Sequence, residues 1–364
     1  MRLGDCGKTN LHTYSDKEKW SLIRYLDTGS ITEGRIDEIQ TLYPGVDKIP
    51  SRARRKASVG DILFSTVRPN QKHYGIIEAG TENLLVSTGF TVVTVDTTIA
   101  DPYFIYYYLT QSSVIESLQA IAEQSTSTYP SIKPSDIEDI ELDLPELETQ
   151  KKIGSTLRML DRKIALNEEI NDNLEQQIQL IFDYLFPDVC AGNKHMGDFI
   201  IPKRGKSLLS KNAVHGNVPV IAGGLEPSIY HNVANTIAPV VTISSSGANA
   251  GFVNIWGVPV WSSDSSYIDS EMSRYVYFWY AYLKRHQNNI YNIQTGSAQP
   301  HIYPSHISSL PITDLDYKKI ENYTEIVSPI FSTITKNHVE NQHLQSLRDW
   351  LLPMLMNGQA TIND

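Results

Sequence analysis

Two observations predict an α+β fold in which two globular domains, related by tandem duplication, are joined by two long helices forming an antiparallel coiled coil. The chain matches itself at an offset of 170 residues, and each copy closes on a stretch whose apolar residues recur in alternating steps of four and three. At 364 residues the chain also exceeds one comfortable core, given roughly 100–200 residues per domain.

The first globule is predicted over residues 1–145. EQSTSTYPSIKPSDI (123–137) lies over IQTGSAQPHIYPSHI (293–307), with Gln124/Gln294, Pro130/Pro300, Ile132/Ile302, Pro134/Pro304 and Ile137/Ile307 in register. Upstream, PYFIYYYL (102–109) lies over VYFWYAYL (276–283) at an offset of 174 and reads as an aromatic core helix. GDILFSTVRPNQKHYGII (60–77) resembles APVVTISSSGANAGFV (238–253): an apolar strand, a polar turn and a glycine before a second strand. Each copy opens on a Gly-Asp pair, Gly4-Asp5 and Gly197-Asp198. The second globule is predicted over 191–315.

The first spacer helix is predicted over 146–190. Its seam runs Ile153, Leu157, Leu160, Ile164, Asn167, Asn171, Leu174, Ile178, Ile181 and Leu185. The second, over 316–358, repeats it as Tyr323, Val327, Ile330, Ile334, Asn337, Asn341, Leu344, Leu351 and Leu355, with Arg348 standing where Ile178 stands in the first. Pro329 is expected to bend or shorten the second helix. A buried amide without a partner costs roughly 1–3 kcal/mol. If the helices pack antiparallel about a pseudo-twofold axis, mid-helix positions face each other, so Asn167 and Asn171 meet Asn337 and Asn341, and mutual hydrogen bonds penalise slipped registers. The alternative places these amides on a solvated flank of a distorted seam. From 153 to 185 the seam spans roughly 48 Å at 1.5 Å per residue, on the order of one DNA helical turn or somewhat more, a natural half-site spacing.

MRLGDCGKTN lacks the apolar region of an export signal, and the greasiest runs are too short to cross a bilayer. The two cysteines, Cys6 and Cys190, form neither a disulfide framework nor a metal knuckle, which fits a reducing cytoplasm. There is no Walker A loop, no HExxH and no metal spacing among the ten histidines, so neither catalysis nor a cofactor is expected. DPYF at 101–104 superficially resembles an amino-methyltransferase motif, yet it lacks the second proline and no Gly-rich S-adenosylmethionine loop precedes it.

The net charge of −10 weighs against a nucleic-acid partner, but charge is segregated: the first spacer is acidic, whereas KIPSRARRK at 48–56 is basic. Candidate DNA contacts are therefore Arg52, Arg54, Arg55 and Lys56, as phosphate or guanine ligands. In the strand-to-strand turn they are Arg68, Gln71, Lys72 and His73. Counterparts in the second copy are Ser244, Ser245, Ser246 and Asn249, where short side chains and Gly251 would let backbone approach DNA. Lys203, Arg204, Lys206 and Lys211 form the second copy's own basic cluster. Ser127 and His301, in the duplicated loops, are further candidates. For the basic stretches the alternative is a solvated loop that touches nothing, for the strand-to-strand turns a plain hairpin, and for the loops of Ser127 and His301 turns feeding the helices, given Pro130, Pro134, Pro300 and Pro304.

The LGD opening (3–5), NDNLEQQIQLIFDYLF (171–186) and LQSLRDWLLPMLMNGQ (344–359), in this four-part order, resemble the specificity subunits of type I restriction-modification systems. The resemblance implies a non-catalytic, cytoplasmic subunit without a membrane partner. Each globule would read half of a bipartite asymmetric double-stranded DNA target. The helices would set the gap and dock two modification (methyltransferase) subunits and, with them, restriction subunits. The competing reading is a duplicated coiled-coil scaffold that binds proteins only.

Overall fold

The computed structural model describes residues 1–15, 17–80, 82–125, 129–296 and 299–362. By packing, the chain forms two compact units, Met1–Lys163 with His343–Asp364, and Ile164–Gln342. The four segments predicted along the sequence thus regroup: each unit takes a globule together with part of both long helices, because the helices bury their apolar faces in the globular cores.

In the first unit an antiparallel sheet has the order Gly7–Thr9, Phe90–Val95, Ile62–Ser65, Tyr74–Ile76. Its strands are apolar on both faces, and alternation decides where each side chain goes. Ile62, Phe64 and Val93 face Phe104 and Tyr107 of the aromatic helix Pro102–Leu109, together with Ile153 and Leu157 of the first long helix. Leu63, Phe90 and Val92 point the other way, onto Leu26, Ile31 and Val86. Leu26 and Val86 belong to a second sheet, ordered Gln40–Leu42, Ile23–Leu26, Leu84–Ser87, Ala53–Lys56. Asp101 caps the aromatic helix by accepting from the Phe104 N–H at 2.9 Å, a structural task for the DPYF motif.

The second unit repeats the plan. Its main sheet is ordered Lys203–Arg204, Ser265–Asp269, Val240–Ser244, Val253–Trp256, all antiparallel. Val241, Ile243, Val253 and Ile268 pack on Phe278, Trp279 and Ile290, while Val240 meets Ile221 and Val260 beneath a three-stranded sheet. The Gly-Asp pairs also do matching work. Asp5 accepts from the Arg2 N–H at 2.8 Å and Asp198 from the His195 N–H at 2.9 Å. A Cβ on Gly4 would sit 3.3 Å from the Glu138 carbonyl oxygen, and one on Gly197 3.2 Å from that of Ser308, so both positions require close backbone approach.

The long helices are Leu147–Leu185 and Tyr317–Met356. Within the second unit they run antiparallel. Asn167 Nδ2 donates to Asn341 Oδ1, and Asn337 Nδ2 to Asn171 Oδ1, each at 2.8 Å. Asn341 also donates to the Ile164 carbonyl at 3.2 Å. Beyond the amides, Phe182 and Phe186 pack edge-on or tilted against Phe278 and Tyr323 with ring centroids 5.2–5.8 Å apart. Within the first unit, Ile153 and Leu157 share a core with Leu355 and Met356. Arg348, the break in the apolar seam, donates to Asp161 at 2.8 Å, and Tyr107 donates to the same carboxylate at 2.5 Å. At the 170-residue offset Asp161 falls on Phe331, so both members of the contact differ between copies. Of the bend or shortening expected at Pro329, shortening does not occur: the second helix runs on through that residue. That residue and Glu325 one turn earlier are exposed, so loss of the proline N–H does not strand a carbonyl in the core.

Candidate nucleic-acid interface

The two predicted strand-turn-strand motifs become hairpins of identical loop length. Register carries Ser65 onto His73 in the first unit and Ser244 onto Phe252 in the second, with seven residues between in each case. The hairpin tips are therefore equivalent residue by residue: Arg68 matches Gly247, Asn70 matches Asn249, and Lys72 matches Gly251. In both units the duplicated loop is hydrogen-bonded along the tip. Ile132 donates to the Thr66 carbonyl and Ile302 to that of Ser245, each at 2.9 Å. Arg68 N–H donates to Pro130 at 3.0 Å, and Gly247 N–H to Pro300 at 3.1 Å.

Both ends of each tip are left-handed. Arg68 has φ 49° and Lys72 φ 58°; Gly247 has φ 81° and Gly251 φ 86°. Glycine adopts this region freely, whereas a residue with a Cβ is disfavoured there by roughly 1–2 kcal/mol. In the first unit that cost falls on two cations, whose side chains project from a short 3-10 turn, Pro69–Gln71. The Arg68 guanidinium lies 5.1 Å from the centroid of the exposed Tyr129 ring. Lys72 pairs with Glu33, Gln71 is exposed, and His73 Nδ1 contacts the Ile31 carbonyl oxygen at 2.7 Å.

The other predicted basic stretch lies beside this tip through the loop after Leu84–Ser87. Thr88 N–H donates to the Arg52 carbonyl at 2.9 Å, and Thr66 N–H to that of Gly89 at 2.8 Å. Arg52 is exposed. Arg54, Arg55 and Lys56 lie on a paired strand with a bulge, not on a free turn. Arg55 is half-buried with Nη1 unpartnered, and burial pushes its pKa down. Lys56 pairs with Glu18, holding that carboxyl below its ordinary range, and lies 5.3 Å from the Trp20 ring centroid. Ser127 lies outside the described residues.

In the second unit Ser244 and Ser245 correct the sequence expectation: they are 3% and 1% exposed, with hydroxyls buried beneath the tip and not presented from it. Ser246 is the accessible serine. Its hydroxyl donates to Asp264, which also receives Arg204 at 2.5 Å. Asp264 stands where the first unit has Gly89, since each supplies the carbonyl that accepts from the base of its tip, from Ser245 at 3.1 Å and from Thr66 at 2.8 Å. His301 pairs with Thr295 and bridges to Ser246, and its ring lies 6.1 Å from that of Tyr303. Asn249 is half-exposed on the tip. Lys203 and Arg204 extend the main sheet, the Lys206 carbonyl accepts from the Trp261 indole N–H at 2.8 Å, and Lys211 is exposed on a separate 3-10 turn. Sequence reasoning missed Tyr129 as the partner of Arg68, and Asp264 as the group that holds Arg204 and Ser246. Among the described residues no helix is long and apolar enough to cross a membrane, and no group of three or more His, Cys, Asp or Glu is placed to hold a metal ion.

Residues 53–176, which include the first tip, its flanking loop and the start of the first long helix, match the family model of the type I restriction modification DNA specificity domain. This chain resembles type I specificity subunits. The type I restriction enzyme HindI specificity subunit of Haemophilus influenzae is 29% identical over 240 residues, covering 64% of this chain and 51% of that protein. The type I restriction enzyme MjaIX specificity subunit of Methanocaldococcus jannaschii is 22% identical over 349 residues, covering 84% and 78% respectively. The chain thus spans about half the length of the first of these relatives and more of the second. In fold it is similar to the crystal structure of a type I restriction-modification S subunit from M. genitalium, with a TM-score of 0.61 at 17% identity, covering 98% of this chain and 95% of that one.

Proposed function

We propose that this chain is the sequence-specific DNA-binding subunit of a type I restriction-modification complex. Each unit reads one half of a bipartite, asymmetric target through its hairpin tip and the loop bonded to it, and the paired helices set the gap between half-sites. The observation that carries this reading is that two like frames present unlike tips: cations in one, glycines with a serine and a carboxylate-held arginine in the other. Different tips on a common frame are what two different half-sites require, whereas a scaffold that binds only proteins has no need of them. Chemistry on DNA would then reside in partner subunits, two methyltransferases docked on the helices and restriction subunits with them, in a cytoplasmic complex.

Arg52, Arg68 and Lys72 supply phosphate or base contacts on the first side; Arg204, Ser246, Asn249 and His301 supply them on the second. Lys203, Lys206 and Lys211 add longer-range attraction, which salt screens. The test is a mobility-shift titration of the chain, assembled with its methyltransferase partner, against duplexes of varied sequence and at several salt concentrations. Sequence-dependent, salt-sensitive binding is expected; equal affinity for all duplexes would refute the reading.

A further inference from the structure

We propose that Arg68 is the residue through which the first unit reads a guanine. This assignment rests on the DNA-reading function proposed above and deepens it at one side chain. Three observations converge on Arg68. First, it occupies a left-handed corner, φ 49°, whose equivalent in the second unit is Gly247, φ 81°. The local backbone is one that glycine satisfies, so the fold alone gives no reason for an arginine there. Second, its guanidinium lies over Tyr129, 5.1 Å from the ring centroid, with both residues exposed. The ring contact holds the guanidinium at the tip while its exposure leaves N–H groups open to a partner. Third, among the described residues no carboxylate pairs with Arg68, whereas Arg158, Arg204, Arg274 and Arg348 are each paired with one. The Arg68 charge is thus left for a partner, while Arg204 of the second unit is held by Asp264.

The chemistry then selects the base. Two parallel N–H groups match the O6 and N7 acceptors of guanine in the major groove, a groove wide enough for a two-stranded ribbon such as the Ile62–Ile76 hairpin. Lysine at the same position would keep the charge and lose the fork. Lys72, at the other corner, shares the left-handed backbone but is paired with Glu33, which leaves Arg68 as the cation of the tip without a carboxylate.

The experiment is selection from a randomised duplex library by the full chain assembled with its modification subunits, repeated with Arg68→Lys and Arg68→Gly and followed by sequencing. The wild type is expected to enrich two blocks. Arg68→Gly should lose preference at one G·C pair of one block, by about 5- to 150-fold, Arg68→Lys should lose part of it, and both should leave the other block intact. Replacing that guanine by 7-deazaguanine should weaken wild-type binding and leave Arg68→Gly unaffected. Thermal melting of Arg68→Gly, expected no lower than wild type, separates loss of reading from loss of fold. An unaltered consensus in both variants would overturn the proposal. So would a uniform loss of affinity with a shallower salt dependence, which would make Arg68 a phosphate contact. A wild type that enriches nothing would instead defeat the DNA-reading function itself.

Discussion

The hairpin tips of the two units share loop length, left-handed corners and the loop that bonds along them, yet they share almost no side chains. At the corners the first tip has Arg68 and Lys72 where the second has Gly247 and Gly251; at the neighbouring corner the first has Gly89 where the second has Asp264. Backbone geometry has thus been kept while the chemistry presented on it has diverged, as expected when function sits in a site grafted on a frame.

The comparison breaks most severely if the frames are not alike. Phe104 and Phe278 occupy matching places in the two aromatic helices and are both fully buried. Phe104→Ala and Phe278→Ala should each destabilise their unit by about 3–5 kcal/mol. Chemical denaturation would check this, and a cost below about 1 kcal/mol in either unit would mean that the two cores carry load differently.

Next in size is the amide cluster. Asn341→Ala removes one of the two acceptors of Asn167, whose amide keeps only Glu340, together with the donor to Ile164, at a cost of about 1–3 kcal/mol. No loss of stability would place these amides in contact with water.

The corners themselves come third. A Cβ at Gly247 would meet nothing within 4 Å, so Gly247→Ala tests conformation alone and should cost about 1–2 kcal/mol. Arg68→Gly should gain up to about 1 kcal/mol, less whatever the Tyr129 contact contributes. Melting curves showing the same sign for both changes would contradict the equivalence of the corners.

The smallest expected effect separates the units by pH. His286 is buried in the second unit, and burial, followed by the nearby Arg285 charge, pushes its pKa below the ordinary 6.5. The unfolded chain therefore takes up a proton first as pH falls, so the neutral imidazole's contribution is fully present above about pH 6.5 and is lost as pH drops toward the lower folded value. In a pH series of unfolding experiments, His286→Gln should flatten this decline; an unchanged slope would exclude His286 as its source.

Much of the frame can be read in the sequence, because it depends on periodicity and repetition. The 170-residue offset carries the seam positions, the paired asparagines and the proline-bounded loops, all of which lie in segments of equal length in both copies. The tips are offset instead by 179 residues, since the strands between them and the loops differ in length, and a corner occupied by arginine in one copy and glycine in the other leaves only φ in common. Burial of Ser244 and Ser245 was equally hidden: their hydroxyls suit a polar turn, but pairing with Ser265–Asp269 and closure by the duplicated loop place them below it. Lys56 is drawn into the fold by Glu18 and Trp20, residues distant along the chain that no local charge pattern connects to it.

Two like frames with unlike tips are proposed to read two separate stretches of DNA. Hydroxyl-radical footprinting of the assembled chain on its selected duplex tests this most directly. Two protected patches separated by an open gap are predicted, with Arg68→Gly thinning one patch and leaving the other unchanged. A single continuous footprint, or two patches that fade together in that variant, would contradict it.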